Sequence, residues 1–193
     1  MKTVKCNSAN EIIIKNSRFI TLLFKIYDGD DITSIFDKVK EEYPKATHYC
    51  YAYITENHKK ASDDGEPGGT AGMPMLNVLD KENMINTLAI TIRYFGGIKL
   101  GAGGLVRAYS KSVREAIING NLVEVEKGYK AMITISYDMQ KNLDYLLKDY
   151  LILNKEFGEK VIYTCLLPIN KINVLGGYEY EIVGEEYIEK SEN

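Results

Sequence analysis

One stretch of the chain combines glycines and cations in a way that suits anion binding. Residues 93–114 hold five of the 16 glycines and five Lys or Arg residues, with no Asp or Glu. Glycine lets backbone N–H groups approach a ligand closely, and the first turn of a helix offers unpaired N–H donors with a partial positive charge. The stretch therefore predicts a surface that binds phosphate, as in a nucleic acid. Its candidate residues are Arg93, Lys99, Gly101, Gly103, Gly104, Arg107, Lys111 and Arg114.

The stretch does not match the standard nucleotide-binding fingerprints. A Walker A loop ends in Gly-Lys-Ser/Thr, whereas Leu105 and Val106 follow the last glycine pair here. The glycines at 101, 103 and 104 are spaced GxGG, which is not the dinucleotide pattern either. A second interpretation stays open: the glycines only permit tight turns and close packing of a strand on a helix.

A polar loop over residues 56–72 contains the acidic residues Asp63, Asp64 and Glu66. Clustered carboxylates can hold a magnesium ion, but their spacing does not match an EF-hand loop. The simpler interpretation is that Asp-Asp-Gly and Pro-Gly-Gly form turns and that Thr70 caps a helix running through Leu79. No metal site is predicted from this loop.

No catalytic constellation emerges from the remaining chemistry. The only histidines are His48 and His58, and no serine or cysteine lies in a nucleophile-elbow context such as GxSxG. The three cysteines are far apart and form no CxxC pair. The sequence therefore predicts no catalytic residue and no cofactor, and it favours a non-enzymatic function.

The glycine-rich stretch must be positioned by a strand before it and a helix after it. LAITIRY over residues 88–94 alternates as a half-buried strand does, and Leu105, Tyr109, Val113 and Ile117 recur at helical spacing before Gly120. Arg107, Lys111 and Arg114 then form one basic stripe on that helix.

Other elements are predicted before this strand and the helix that follows it. Two strands over residues 11–26 predict a hairpin with its turn at Asn16–Ser17, and Asp30 or Asp31 caps the helix that follows. A strand over residues 47–55 presents a row of tyrosines on one face. This row is either a stacking platform for single-stranded nucleic acid or a half-buried strand surface. Its members are Tyr49, Tyr51 and Tyr53.

The pattern changes near Gly128, which we interpret as a linker between two domains, residues 1–127 and 128–193. The second part has the order β-α-β-β-α-β, which is that of a ferredoxin-like fold. The first part has 17 Lys and Arg against 16 Asp and Glu, and the second has 7 against 11. A polyanion is therefore expected to bind the first part.

The 193 residues are 45 % apolar and 26 % charged, which is typical of a globular protein. We find no apolar run of membrane-spanning length and no signal-peptide core, so we expect a cytoplasmic protein that does not enter a membrane.

Four segments resemble the signature segments of the IMPACT family, in particular its bacterial YigZ branch. They are SRFI (17–20), THYCYAY (47–53), DDGEPGGTAGMP (63–74) and TIRYFGGIKLGAGGLVRAYS (91–110). The resemblance implies an α+β fold: a ribosomal-protein-S5-domain-2-like amino-terminal domain of IMPACT type, then a ferredoxin-like βαββαβ domain. Together the two resemble domains four and five of elongation factor G.

The resemblance also implies a link to translation, because eukaryotic members of the family regulate translation by binding the activator of a kinase that phosphorylates an initiation factor. It carries over no catalytic roles. The motif positions that match are Asp63, Asp64, Gly65, Glu66, Arg93, Tyr94, Gly96, Gly97, Leu100 and Gly101.

Three functions follow from these observations. The leading one is a translation-associated regulatory protein that binds the phosphate backbone of RNA or the ribosome through the basic stripe. The second is a regulator in which the same stripe meets acidic side chains of a translation-linked protein partner. The third is an enzyme acting on a phosphorylated or nucleotide substrate, with Asp63, Asp64 and Glu66 holding magnesium.

Overall fold

A computed structural model of the chain describes residues 1–190. It divides into two compact units, with the boundary between Val123 and Glu124. Unit 1 contains the glycine-rich stretch and the acidic loop, and unit 2 contains the carboxyl-terminal strands. We describe each unit by itself.

The described residues form ten strands and four α-helices. The strands are β1 Lys2–Val4, β2 Ser8–Ile14, β3 Ser17–Lys25, β4 His48–Ile54, β5 Lys59–Ser62, β6 Thr87–Tyr94, β7 Leu122–Ile135, β8 Leu151–Phe157, β9 Val161–Pro168 and β10 Glu179–Glu189. The helices are α1 Ile32–Glu42, α2 Gly72–Lys81, α3 Ala102–Asn119 and α4 Gln140–Leu146.

The sheet of unit 1 is antiparallel and has the strand order β2-β3-β6-β4-β5. β6 lies at its centre, and every residue from Thr87 to Arg93 is buried. The sequence predicted a half-buried strand here, and this detail was wrong, because helices cover both faces. α1 packs on the face of Ile20 and Ile90. α3 packs on the other face, where Thr21 Oγ1 lies 2.6 Å from Ser112 Oγ.

The β2–β3 hairpin is present, but its turn is one residue earlier than predicted. Lys15 and Asn16 both have positive φ, 46° and 62°, which is the conformation of a two-residue type I′ turn. Ser17 is the first residue of β3 and is paired with Ile14. The turn type matches the right-handed twist of the flanking strands.

Unit 2 has the strand order β10-β7-β9-β8, with all neighbours antiparallel. This is the order of a ferredoxin-like fold, so the predicted α+β class with a βαββαβ carboxyl-terminal part is confirmed. Its second helical segment, Ile169–Leu175, is a 3₁₀ helix. Leu143 and Leu147 on the helical side pack against Ile133 in the core.

Gly128 is not a linker. It lies inside the continuous strand β7, where it pairs with Pro168 on one side and Glu186 on the other. A Cβ at Gly128 would lie 2.7 Å from the Leu167 carbonyl oxygen, so the glycine serves close strand packing. The composition change near residue 128 therefore falls inside a strand.

Candidate functional site: a cationic cleft at the start of helix α3

The glycine-rich loop, residues 95–101, connects β6 to α3. Gly97 and Gly101 have positive φ, 84° and 69°, which favours glycine at both positions. Gly101 is the N-cap of α3 and supplies no side-chain cap. The first-turn N–H groups of this 18-residue helix therefore keep hydrogen-bonding capacity for an outside acceptor.

Three cations line one open cleft beside this helix start. Lys15 comes from the β2–β3 turn, and Arg107 and Lys111 come from α3. The cleft has a volume of about 320 Å³, and its lining contains no carboxylate. We call it the cationic cleft; it is lined by Ile14, Lys15, Leu100, Gly104, Arg107, Ala108 and Lys111.

The cations differ in their partners. Lys111 Nζ lies 3.5 Å from Glu115 Oε1, an exposed pair of the kind that contributes little to stability. Lys15, Lys99 and Arg107 have no ion-pair partner in the part of the chain that the structure describes. Lys99 is exposed in the glycine-rich loop. These side chains are therefore available to an anion.

The two glycines predicted in the first turn of α3 differ in their surroundings. A Cβ at Gly104 would lie 3.0 Å from Leu100 Cβ, so this glycine makes room for the loop to fold back on the helix. A Cβ at Gly103 would meet only Arg107 Nη1, at 3.6 Å. No close contact requires a glycine at position 103, and the absence of a side chain there leaves the helix backbone accessible to a ligand.

Arg114 lies in a different groove from Arg107 and Lys111. This groove runs between α2 and α3, has a volume of about 350 Å³ and also contains Lys81. Arg114 Nε is 3.8 Å from Glu82 Oε1. The predicted basic stripe is thus divided between two neighbouring surfaces of the same helix.

Arg93 does not belong to the exposed cationic surface, which corrects its place among the candidate residues. It is 5 % exposed, because it lies on the central strand under α3. Its Nη1 donates to Glu66 Oε1 at 2.6 Å, and Glu66 is 7 % exposed. The Arg93 guanidinium also lies 5.5 Å from the Phe19 ring centroid. Arg93 therefore anchors the acidic loop, residues 63–71, to the sheet.

Each carboxylate of the acidic loop has its own structural task. Asp63 accepts N–H bonds from Gly69, Ala71 and Gly72 at 2.8–2.9 Å, so it caps the start of α2. The sequence predicts Thr70 as the cap of this helix, and that prediction is wrong, because the Thr70 hydroxyl donates to the Pro67 carbonyl.

The other two carboxylates point elsewhere. Asp64 accepts the Tyr49 N–H at 2.6 Å, and Glu66 accepts from Arg93 and from the Tyr109 hydroxyl. Among residues 1–190, no group of three or more His, Cys, Asp or Glu side chains is placed to hold a metal ion. None of the residues that line the cationic cleft belongs to this loop.

A buried polar cluster extends from Glu66. Tyr109 Oη donates to Glu66 Oε1 at 2.8 Å and lies 3.3 Å from Cys50 Sγ, which in turn donates to the Asp63 carbonyl. Burial raises the pKa of the Cys50 thiol to about 12, so it stays protonated at neutral pH. A protonated buried thiol is a poor nucleophile, and this cluster serves structure.

Sequence reasoning missed the place of Lys15 in this region. Lys15 carries no motif signal, because its approach to α3 depends on the hairpin turn packing on the glycine-rich loop. Gly96 makes that packing possible: its N–H donates to Ser17 Oγ at 3.1 Å, and a Cβ there would lie 2.1 Å from the Asn16 carbonyl carbon. Tyr109 was recognised as a core position, but its periodicity did not predict its hydrogen bond to Glu66.

The part of the chain that the structure describes contains no helix long and apolar enough to cross a membrane.

Comparisons with known proteins agree with the resemblance noted in the sequence. The family model of the Impact N-terminal domain matches residues 15–117. The IMPACT family member YvyE of Bacillus subtilis is 37 % identical over 196 residues, covering 98 % of this chain and 90 % of that protein. The IMPACT family member YigZ of Escherichia coli is 35 % identical over 167 residues, covering 82 % of this chain and 81 % of that protein.

A solved structure agrees over nearly the same length. The crystal structure of a hypothetical protein superimposes with a TM-score of 0.67 and 30 % sequence identity, covering 95 % of this chain and 97 % of that one. Family model, full-length relatives and solved structure together establish that this chain belongs to the IMPACT family.

Proposed function

We propose that this chain is a non-enzymatic, translation-associated regulatory protein that binds the phosphate backbone of RNA, free or in the ribosome, through the cationic cleft. The observation that carries the proposal is the convergence of Lys15, Arg107 and Lys111 on one open cleft whose lining contains no carboxylate. Lys99 and the uncapped start of α3 extend this surface.

The chemistry suits phosphate better than a compact neutral ligand. Arginine presents a planar fork of donors that matches phosphate oxygens, while lysine acts as a point charge. Backbone N–H groups at a helix start add donors that need no side chain. Gly103 at that start lets a backbone oxygen of the ligand approach closely.

The link to translation comes from membership in the IMPACT family and the implied role of its eukaryotic members. We also propose that units 1 and 2 act as two domains, an IMPACT-type amino-terminal domain and a ferredoxin-like carboxyl-terminal domain. Their charges support a division of labour. Residues 1–123 carry 16 Lys and Arg against 14 Asp and Glu, and residues 124–193 carry 8 against 13. RNA is thus expected on unit 1.

An enzymatic function on a nucleotide has less support. That hypothesis needed Asp63, Asp64 and Glu66 to converge on one cation, and each of these carboxylates instead accepts hydrogen bonds from a different part of unit 1.

Sedimentation of a lysate through sucrose gradients tests the proposal. At low salt the chain should migrate with ribosomal particles, and this association should be lost at moderate salt because phosphate contacts release counterions. Arg107→Glu with Lys111→Glu should move the chain to the top fractions.

The matched control reverses two exposed lysines on and just after α1, Lys38→Glu with Lys45→Glu, which changes net charge equally. This control should sediment like the unchanged chain. Equal sedimentation of all three forms would refute the role of the cationic cleft.

A protein partner is the second candidate, favoured by Phe95 and Ile98, which are each 46 % exposed in the glycine-rich loop. The chain can be captured from a lysate together with its bound molecules, with and without prior nuclease treatment. This comparison distinguishes binding to RNA from direct binding to a protein partner. A partner held by RNA is lost after digestion, whereas a protein partner bound directly is retained.

A further inference from the structure

Unit 1 contains a second cleft whose chemistry the proposed function does not use. It lies between α1 and β4 and has a volume of about 360 Å³. Its lining includes three tyrosines of β4 together with Phe36, Lys40 and Lys60. We call it the tyrosine cleft, and its tyrosines are Tyr49, Tyr51 and Tyr53.

The tyrosine cleft and the cationic cleft are on opposite sides of the sheet. Side chains alternate along β4, so its tyrosines project away from the face of the fully buried Cys50 and Ala52. That second face is covered by α2 and α3, and Cys50 Sγ reaches Tyr109 of α3. An RNA strand on the start of α3 therefore does not fill the tyrosine cleft.

The aromatic rings offer a surface for a flat ligand. The rings of Tyr51 and Tyr53 are nearly parallel, at 6°, with centroids 6.5 Å apart. Phe36 meets Tyr51 edge to face, with centroids 5.0 Å apart, and so fixes the orientation of the Tyr51 ring. All three tyrosines keep part of their surface exposed, although α1 packs nearby. Planar bases stack on rings of this kind.

Two lysines bring positive charge to the same cleft. Lys40 Nζ lies 5.9 Å from the centroid of the Tyr49 ring, and Lys60 is paired with Tyr53 across β4 and β5. Neither lysine has an ion-pair partner among residues 1–190. Lys40 lies nearest Tyr49 and Lys60 lies beside Tyr53, so the two cations flank the tyrosine row at opposite ends. A flat ligand with a phosphate at one end is complementary to this combination.

Two carboxylates also line the cleft, and their surroundings differ. Asp64 already accepts the Tyr49 N–H, which satisfies part of its hydrogen-bonding capacity. Asp37 is exposed and can accept a hydrogen bond from an amino group on the edge of a base. The cleft thus contains stacking surface, cations and an acceptor.

We propose that the tyrosine cleft binds a nucleoside 5′-phosphate, either as the free nucleotide or as one unit of a single strand. The base stacks on the tyrosine row, and the phosphate contacts Lys40 or Lys60 at one end of that row. The volume is within the range of about 300–1,000 Å³ in which small-molecule sites occur. This inference goes beyond the proposed function and does not rest on it.

Calorimetric titration of the full chain with each of the four ribonucleoside 5′-monophosphates, and with a tetranucleotide of mixed sequence, tests the proposal. Saturation binding by at least one of these ligands is expected. Lys40→Ala with Lys60→Ala should weaken it about tenfold or more, since a charged phosphate at either end of the tyrosine row then loses its lysine contact. Lys38→Ala, an exposed lysine of the same helix that does not line the cleft, should leave affinity unchanged.

A second variant tests stacking. Tyr53→Leu keeps an apolar side chain at the position but removes the ring, and it should weaken binding about tenfold. Arg107→Glu with Lys111→Glu should not change binding in the tyrosine cleft, which separates this site from the cationic cleft. Circular dichroism would verify that each variant is folded.

The titrations also identify the source of the ligand. Binding of a monophosphate that depends on Lys40 and Lys60 supports a free nucleotide. If the tetranucleotide binds and no monophosphate does, and if this binding depends on Lys40 and Lys60, the ligand is a single strand. The proposal is overturned if no ligand binds at millimolar concentration, or if Lys40→Ala with Lys60→Ala leaves affinity unchanged.

Discussion

At the scale of single residues, the ion pair between Arg93 and Glu66 is the contact that joins the acidic loop to the central strand. Both side chains are almost fully buried, and the Tyr109 hydroxyl completes the hydrogen bonding of Glu66 Oε1. Removing one partner of such a pair leaves the other charge desolvated, and this is far more costly than losing an exposed pair.

We therefore expect Glu66→Ala to reduce the free energy of unfolding by about 3–5 kcal/mol. The exposed, bidentate pair between Arg18 and Glu11 provides the matched control, and Glu11→Ala should cost about 1 kcal/mol or less. Urea denaturation of both variants measures the difference. Equal losses would show that the buried pair has no special role in stability.

The arginines illustrate what sequence alone could predict at this scale. Four of the 24 basic residues are arginines, and the forked donor of an arginine suits a carboxylate as well as a phosphate. Arg18 and Arg93 pair with Glu11 and Glu66, and Arg107 is the arginine in the cationic cleft. To tell an arginine that pairs with a carboxylate from one that is free to bind phosphate, one must know which strand is central in the sheet. The spacing of residues in the sequence does not predict this.

At the scale of elements, the start of α2 depends on Asp63. Burial raises the pKa of its carboxyl, but the three N–H donors of Gly69, Ala71 and Gly72 outweigh this and hold the pKa below its ordinary value. The folded state therefore favours the ionised form. The resulting stability is present above the ordinary pKa of about 4 and is lost as the pH falls through the folded-state pKa.

We expect Asp63→Asn to lower the free energy of unfolding by about 1–2 kcal/mol at neutral pH, because hydrogen bonds to a charged acceptor become neutral ones. The difference from the unchanged chain should shrink as the pH falls below about 4. Urea denaturation over a pH series measures it. A difference that stays constant down to low pH would contradict the role of the ionised carboxylate.

The glycines around the cationic cleft should respond in opposite directions to an added methyl group. Gly96→Ala would drive a Cβ into the backbone of the β2–β3 turn, so we expect a loss of about 2 kcal/mol or more and a displaced Lys15. Gly103→Ala has room for its Cβ and lies in a helix, so we expect a gain of about 0.5 kcal/mol.

RNA affinity distinguishes packing from binding at Gly103. If a phosphate approaches the helix start closely, Gly103→Ala should weaken RNA binding although it stabilises the fold. Thermal melting and fluorescence anisotropy together measure the two effects. Unchanged affinity would show that the ligand does not approach this position.

Periodic elements were predictable, and contacts set by tertiary structure were not. The alternation of β4, the stripe of α3 from Leu105 to Ile117 and the order of the elements along unit 2 follow from local pattern. The short strand β5 inside the polar loop was missed because four residues with two lysines carry no clear alternation. The capping of α2 by Asp63 was missed because the cap comes from nine residues before the helix start.

At the scale of the whole molecule, the two units differ in the sign of their net charge. Unit 1 has a slight excess of cations, with several on the cationic cleft, and unit 2 has an excess of carboxylates. We therefore expect a polyanion to bind unit 1 rather than unit 2. The affinity for RNA is therefore expected to be salt-dependent although the net charge of the chain is −3.

The most direct test of this account is the affinity of the purified chain for ribosomal RNA, measured by filter binding at several salt concentrations. If about three phosphates are neutralised, a fourfold rise in salt should weaken binding about tenfold or more. Arg107→Glu with Lys111→Glu should lower the affinity and flatten this dependence, whereas Lys38→Glu with Lys45→Glu should change neither. A salt dependence that is the same in all three forms would contradict phosphate binding at the cationic cleft.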